Sequence, residues 1–511
     1  MPKKVNKKSK KSRSYLTKRG YTIIKSEFGF KDIHSCKKEL TVSPYVNAEF
    51  SARPSPFPIY LENVKKIYLP KHYALQKFGE PDENRMPEGR EIDLEFKGGL
   101  RDIQKPIVKA FMDTCKPGGT LSSQTYGGVI SVPCGVGKTV ISLYILSQLK
   151  RKTLIIVHKE FLIEQWVERI NQFLPYARIG LIRQKKVDVL NKDIVVGMLQ
   201  SISMKNYPEG TFDDFGLCIV DECHHISCEV FSRALPKIGC KYMCGLSATP
   251  KRADGLSKVF EYYLGPIVYK RDRDGGDNVC VNIITIQSDV MPYTKLELTN
   301  YGKVCMSRMI NNICEYSKRT QFISKFVFKM LKQDRKILIL SDRRGHLEEF
   351  YDILTNANLG SVGYYVGGMK PKDRKATEAC DVILGTFSMA SEGMDIPTLD
   401  SIVLASPKSN IVQPIGRVLR KKHVDKPAQV YDIVDDFSHF TNQGIKRRRF
   451  YKKCLYHITT TTIEDSDITT FEDLYEQSIN NSELYFDGKS PKKTKRRKKK
   501  SEKLEITECP F

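Results

Sequence analysis

Apolar residues recur along this chain in two rhythms. Short apolar runs fall at 129–132, 153–158, 193–202, 217–225, 336–341, 361–367, 381–386, 401–406 and 430–435. Apolar positions that follow one another over so few residues predict strands buried on both faces. Other stretches return apolar residues at helical spacing. In 98–115 Leu100, Ile103, Ile107, Val108 and Phe111 make one stripe, and 138–146, 159–174 and 345–354 read the same way. Strand and helix alternate, which predicts parallel sheets with helical crossovers in two successive blocks. Residues 281–296 read as one or two further strands, and 302–333 as a helical region with a basic surface.

The rhythm breaks in a few places. Charges and a Gly pair at 270–278 mark a linker. Residues 20–97 are rich in Pro and aromatics and contain Ile-Tyr-Leu twice, so they predict a small domain of β and irregular character. Such a domain serves either as a scaffold or lid, or as a module that contacts DNA or a partner. Beyond 460 the chain is acidic and polar, with room for one docking helix at most. The division read from these breaks is a basic arm over 1–19, the small domain over 20–97, an α/β domain over 98–270, a linker with extended strands over 271–299, a second α/β domain over 300–458, and a polar then basic tail over 459–511.

Charge changes the picture more than composition does. A formal net charge of +25 over 511 residues calls for a polyanionic partner, nucleic acid first. Residues 1–19 carry nine Lys or Arg and no acid, and 492–500 are basic at eight positions of nine. Such runs repel themselves and predict disordered arms, compatible with nuclear targeting, nucleic-acid contact or solubility alone. The 14 cysteines are scattered, several inside strand-like runs, which suits buried free thiols in a reducing, intracellular compartment. No secretory leader and no apolar stretch of about 18 residues is read, so no membrane is expected.

The candidate chemistry sits at the ends of predicted strands. After the run at 129–132 comes a turn with Gly135 and Gly137, then Lys138 and Thr139 opening a helix. That is the pattern of a phosphate-binding loop, in which Lys138 reaches the β and γ phosphates of a nucleoside triphosphate and Thr139 holds Mg²⁺. Val132 stands where the general pattern has Gly. The run 217–220 delivers Asp221 and Glu222 at its C-terminal end, placing one carboxylate to act on the metal and one to deprotonate water. Arg101 and Gln104 lie upstream; an amide can read an adenine edge, although by composition alone both suit a surface. His224 is placed near the nucleotide, coupled to Ser247 and Thr249. Arg417 and Arg420 share one helical face and suit a phosphoryl transition state. Residues 446–458 interleave bases with Phe450, Tyr451 and Tyr456 and suit a phosphate backbone with rings that pack or stack. A zinc site among Cys223, His224, His225, Cys228, Cys240 and Cys244 is not favoured, because the spacings form no pair of clamps.

Taken in order, RDIQ at 101–104, VPCGVGKT at 132–139, IVHKEFLIEQW at 156–166, DECH at 221–224, SAT at 247–249, LGTFSMASEGMDIP at 384–397 and QPIGRVLR at 413–420 resemble a superfamily 2 helicase or translocase. The VPCGVGKT form looks like the XPB type used in transcription and repair. So does PKRADG at 250–255, whose Arg252 and Asp254 match an Arg–acid motif of DNA opening, with Ala253 between them where an acid is usual. The Pro- and Tyr-rich N-terminal region looks similar to the transcript-release helicases of large cytoplasmic DNA viruses. The resemblance implies an α/β fold of two tandem RecA-like parallel-sheet domains with a small N-terminal domain. It implies a DNA-dependent ATPase of 3′–5′ polarity with ATP and Mg²⁺, acting in transcription as a monomeric motor beside RNA polymerase or transcription factors. In a virus it would work in the virion core and cytoplasmic factory. By residue, it makes Arg101, Gln104, Gly135, Gly137, Lys138 and Thr139 nucleotide contacts and Asp221 with Glu222 the hydrolytic pair. It makes His224, Ser247, Thr249 and Gln413 coupling residues. Arg252, Asp254 and Thr386 become nucleic-acid contacts, and Arg417 and Arg420 complete the site. An RNA helicase, a restriction-type motor and a non-catalytic nucleic-acid-binding transcription scaffold are the other readings.

Overall fold

The computed structural model describes residues 13–45, 55–116, 126–133, 135–225, 228–248, 255–271, 278–392, 394, 396–418 and 426–464. Two large sheets carry the molecule. The first has eight strands, in the order Lys186–Val187, Ile179–Arg183, Ile194–Met198, Thr153–Val157, Leu217–Val220, Tyr242–Ser247, Gly127–Ser131, Ile267–Lys270. Every pairing is parallel except that of the two-residue strand Lys186–Val187, which folds back on its neighbour as a hairpin. The central strands are buried throughout, because helices cover both faces. Helices Lys105–Cys115, Lys138–Leu149 and Glu160–Phe173 close one side through Phe111, Leu146 and Trp166, and helices Cys228–Ile238 and Ser257–Leu264 close the other through Phe231 and Phe260.

The second sheet has seven strands, all parallel: Val362–Tyr365, Val382–Gly385, Ile337–Leu340, Ser401–Leu404, Ala428–Asp435, Val279–Gln287, His457–Glu464. Val279–Gln287 comes from the stretch read as linker, and His457–Glu464 runs past 458 into the stretch read as tail. The latter reads Thr-Thr-Thr-Thr at its centre, so no apolar run announces it; β-branched side chains on an edge strand are enough. The two α/β domains thus stand as expected.

Three other expectations are corrected and a fourth is narrowed. The basic arm stops short of residue 19, because Ser14–Thr17 pairs with Gly20–Ile24 and buries Leu16. Strand 193–202 ends at Met198, where helix Leu199–Met204 begins. In 446–458 the tyrosines pack and do not stack, while Lys446, Arg448, Arg449, Lys452 and Lys453 stay exposed. Arg447, Tyr451 and Tyr456 are buried, and Arg447 with Tyr451 clasps Asp432, the guanidinium Nε lying 2.9 Å and the phenol oxygen 2.8 Å from carboxylate oxygens. The small domain is more regular than expected. It is a five-stranded sheet with helices Phe30–Glu39 and Lys71–Phe78.

That small domain docks on the first sheet's outer helix. Tyr73 meets Tyr262 edge-on at 5.1 Å, and the Tyr263 hydroxyl donates to the Ile59 carbonyl at 2.7 Å. The Lys71 ammonium is buried over the Tyr126 ring, and burial pushes it down to about 7. No helix among the described residues is long and apolar enough to cross a membrane. The described cysteines are free thiols, most of them buried.

A candidate nucleotide site between the two sheets

A cleft of about 870 Å³ opens at the C-terminal ends of the first sheet's strands, where doubly wound sheets bind ligands. One wall is the loop after Gly127–Ser131 together with Lys138, Thr139, Asp221 and Glu222; the facing wall comes from the second domain through Tyr365, Arg374, Lys375 and Pro397.

The loop is held from behind. Gly137 has φ +90°, and a Cβ there would lie 2.5 Å from Gln104 Nε2, so only glycine fits. Gln104 is buried and its amide is engaged on both sides, accepting from the Arg101 N–H at 2.9 Å and donating to the Val136 carbonyl at 2.8 Å. The Arg101 guanidinium donates to the carbonyls of Gly135 and Val136. The sequence anticipated an amide near the nucleotide; here that amide and its arginine brace the back of the loop. With the carbonyls turned to this brace, the following helix starts at Lys138 with its positive end toward the cleft.

Lys138 reaches across the cleft to Glu222, Nζ to Oε1 2.5 Å, with both side chains about nine-tenths buried. Glu222 has φ +44°, a left-handed conformation that a β-carbon makes unfavourable. Asp221 is fixed twice. Its Oδ1 accepts the Glu222 N–H at 3.0 Å, and its Oδ2 accepts the Trp166 indole N–H at 2.9 Å. Burial raises the Asp221 pKa, the Glu222 charge adds to it, and Lys138 and the indole bond oppose it.

His224 links the site to the other domain. Its Nδ1 lies 2.9 Å from Ser247 Oγ and 3.5 Å from Glu222 Oε2, and its Nε2 lies 3.4 Å from Gln413 Nε2. Gln413 belongs to helix Val412–Val418, which also carries Arg417. The Arg417 side chain, and Thr249, Arg252, Asp254 and Arg420 altogether, lie outside the described residues. Thr386 follows strand Val382–Gly385 and accepts the Met389 N–H at 3.5 Å, just before helix Phe387–Glu392 of the second domain. Two direct bonds also cross between domains, Lys159 Nζ to Ser388 Oγ at 2.8 Å and an Arg374–Glu164 pair at 2.6 Å. Spacing could not reveal these. Trp166 was legible only as an apolar position and as the sole Trp of the chain.

The residues fit a magnesium nucleoside triphosphate. A loop that leaves no room for a side chain, an ammonium at its tip, a hydroxyl at Thr139 and a carboxylate held by two donors form its donor set.

Comparison with known proteins agrees with this geometry. The family "Type III restriction enzyme, res subunit" matches residues 97–252, and "Helicase conserved C-terminal domain" matches residues 318–422. The chain is 34% identical over 461 residues to "Putative ATP-dependent RNA helicase L396" of Acanthamoeba polyphaga mimivirus, covering 88% of this chain and 87% of that protein. It is 32% identical over 206 residues to "DNA 3'-5' translocase XPB2" of Sulfurisphaera tokodaii, covering 39% of this chain and 42% of that one. In structure it is similar to a fragment titled as a putative HsdR subunit of a type I restriction enzyme from Vibrio vulnificus, with a TM-score of 0.51, 18% identity, and coverage of 72% and 70%, a likeness of fold.

Proposed function

Because this chain belongs to the superfamily 2 helicases, ATP-dependent enzymes that act on nucleic acid, we propose that it is a DNA-driven ATPase which moves along DNA by opening and closing the cleft between its two domains. The observation that carries this reading is the Lys138–Glu222 pair at 2.5 Å, at the meeting of the phosphate loop and the acidic strand end. The pair holds the catalytic base until nucleotide binds. A γ phosphate competes for the ammonium, and Glu222 is then released to take a proton from the attacking water. Thr139 and Asp221 would hold Mg²⁺, which neutralises charge on the phosphates when bound. Arg417 and Arg420 approach from the second domain on closure and stabilise the transferring phosphoryl group. His224 senses the change through Glu222 and passes it to Ser247 and Gln413, and Thr249 joins them. Thr386, Arg252 and Asp254 contact the nucleic acid.

DNA is chosen over RNA on the match to the translocase described as acting on DNA, which spans 206 residues. The RNA reading is favoured by the name of the mimivirus relative. Work in transcription, beside RNA polymerase or its factors in a viral factory, is supported by the resemblance of the small N-terminal domain to transcript-release helicases. A monomeric motor is supported by both walls of the cleft coming from one chain.

The test is the steady-state ATPase rate without nucleic acid and with single-stranded DNA, duplex DNA or RNA. Stimulation by DNA is the expected result; stimulation by RNA alone moves the enzyme to RNA, and no turnover with any polymer overturns the motor. DNA affinity should also fall by about 10³–10⁵ between 50 and 200 mM salt if 6–10 phosphates are contacted. Binding indifferent to salt argues against a backbone groove.

A further inference from the structure

Helix Glu160–Phe173 packs on the first sheet through Leu162, Ile163, Trp166 and Ile170, and the indole of Trp166 is 2% exposed. An indole has one polar atom, a donor, and in a core it needs an acceptor. Here the acceptor is a carboxylate oxygen of Asp221 at 2.9 Å, while the other oxygen takes the Glu222 N–H at 3.0 Å. One donor is backbone at a rigid strand end, and the other is a ring locked among core side chains. Neither can swing away, so the carboxylate plane is set at the wall of the cleft that Asp221 and Trp166 both line.

The geometry points to Trp166 as the positioning residue of the cation site, holding Asp221 in its ligand orientation before nucleotide arrives. This rests on the reading of Asp221 as a Mg²⁺ ligand given above. Trp166 touches neither nucleotide phosphate nor water in this role; it acts through Asp221. Removing an outer partner of a metal ligand typically costs 10–100-fold in metal affinity or activity. Trp166→Phe keeps a ring in the core and deletes the donor. It should raise the Mg²⁺ concentration for half-maximal ATPase by about 10–100-fold, with a much smaller fall in the rate at saturating Mg²⁺.

Because Trp166 is the chain's sole tryptophan, the unaltered protein reports on the same bond. Its emission should change when Mg²⁺ is added with the non-hydrolysable analogue AMP-PNP and should not change with AMP-PNP and EDTA. Emission indifferent to Mg²⁺, or a Trp166→Phe enzyme with an unaltered Mg²⁺ midpoint, overturns the inference. If Trp166→Phe fails to fold, the emission of the unaltered protein decides. A Mg²⁺-dependent emission change in a protein whose ATPase no polynucleotide stimulates would leave this inference standing and sink the motor.

Discussion

Glu222→Gln should lower the polynucleotide-stimulated ATPase rate by about 10²–10⁴, the usual contribution of a positioned general base, while nucleotide binding survives. Gln matches Glu in shape, and its amide oxygen can still accept from Lys138, now 2.5 Å from Oε1. What it lacks is the basicity to accept a proton from water. Removing one charge from a buried pair also costs stability, about 3–5 kcal/mol when the partner is left uncompensated, and the retained hydrogen bond places the variant below that range. Lys138→Ala lacks this compensation and strands the Glu222 charge, so it confounds catalysis with folding. The measurement is phosphate release at saturating ATP and polynucleotide, with nucleotide binding and thermal melting on the same preparation. A variant that keeps its binding and hydrolyses ATP within tenfold of the unaltered enzyme would remove Glu222 from the chemistry.

The second large effect lies in the second domain, between helix Ser317–Leu331 and strand Ala428–Asp435. Arg319 and Asp435 are wholly buried, with Nε to Oδ1 2.7 Å and Nη2 to Oδ2 3.1 Å. The Tyr293 hydroxyl adds a bond to Oδ1 at 2.6 Å, and Arg319 Nη1 donates to the Ala405 carbonyl at 2.6 Å. Arg319→Met leaves Asp435 charged in an apolar setting with one partner where it had two. The expected loss is about 3–5 kcal/mol. At roughly 2–4 °C per kcal/mol for a domain of this size, melting of the second domain should fall by about 6–20 °C. The double variant Arg319→Met/Asp435→Leu should recover much of this, because a well-packed apolar pair often equals a buried ion pair. Calorimetry on the three proteins reads the result. A single variant melting with the unaltered chain would show that water or rearrangement supplies what the arginine gave.

The same pair shows what could be read in advance. The run 430–435, Val-Tyr-Asp-Ile-Val-Asp, was legible as a strand from its apolar positions. Its two acids were the overlooked signal, since a carboxylate inside a buried strand obliges some base to enter the core. Arg319 and Arg447 answer that demand, which is why Arg447 turns inward while Lys446, Arg448, Arg449, Lys452 and Lys453 around it stay exposed. The phosphate loop was legible because its glycines, lysine and threonine are neighbours in sequence. Lys138 and Glu222 stand 84 positions apart, and their meeting was legible only through the doubly wound order that brings two strand ends together. The Arg374–Glu164 and Lys159–Ser388 contacts depend on how two domains are set against each other, and no local pattern records that.

The strand Val279–Gln287 has a further consequence. It lies inside the second sheet, flanked by Ala428–Asp435 and His457–Glu464, while Ile267–Lys270 ends the first sheet's edge. The chain crossing from one domain to the other is therefore only residues 271–278, a tether that spans at most about 30 Å when drawn out. On so short a tether each domain meets the other at an effective concentration on the order of millimolar, whatever the concentration of the protein in its surroundings. If the cleft cycles as proposed, a molecule working alone at nanomolar dilution would close as readily as one in a crowded compartment, each opening a local excursion that its own chain calls back.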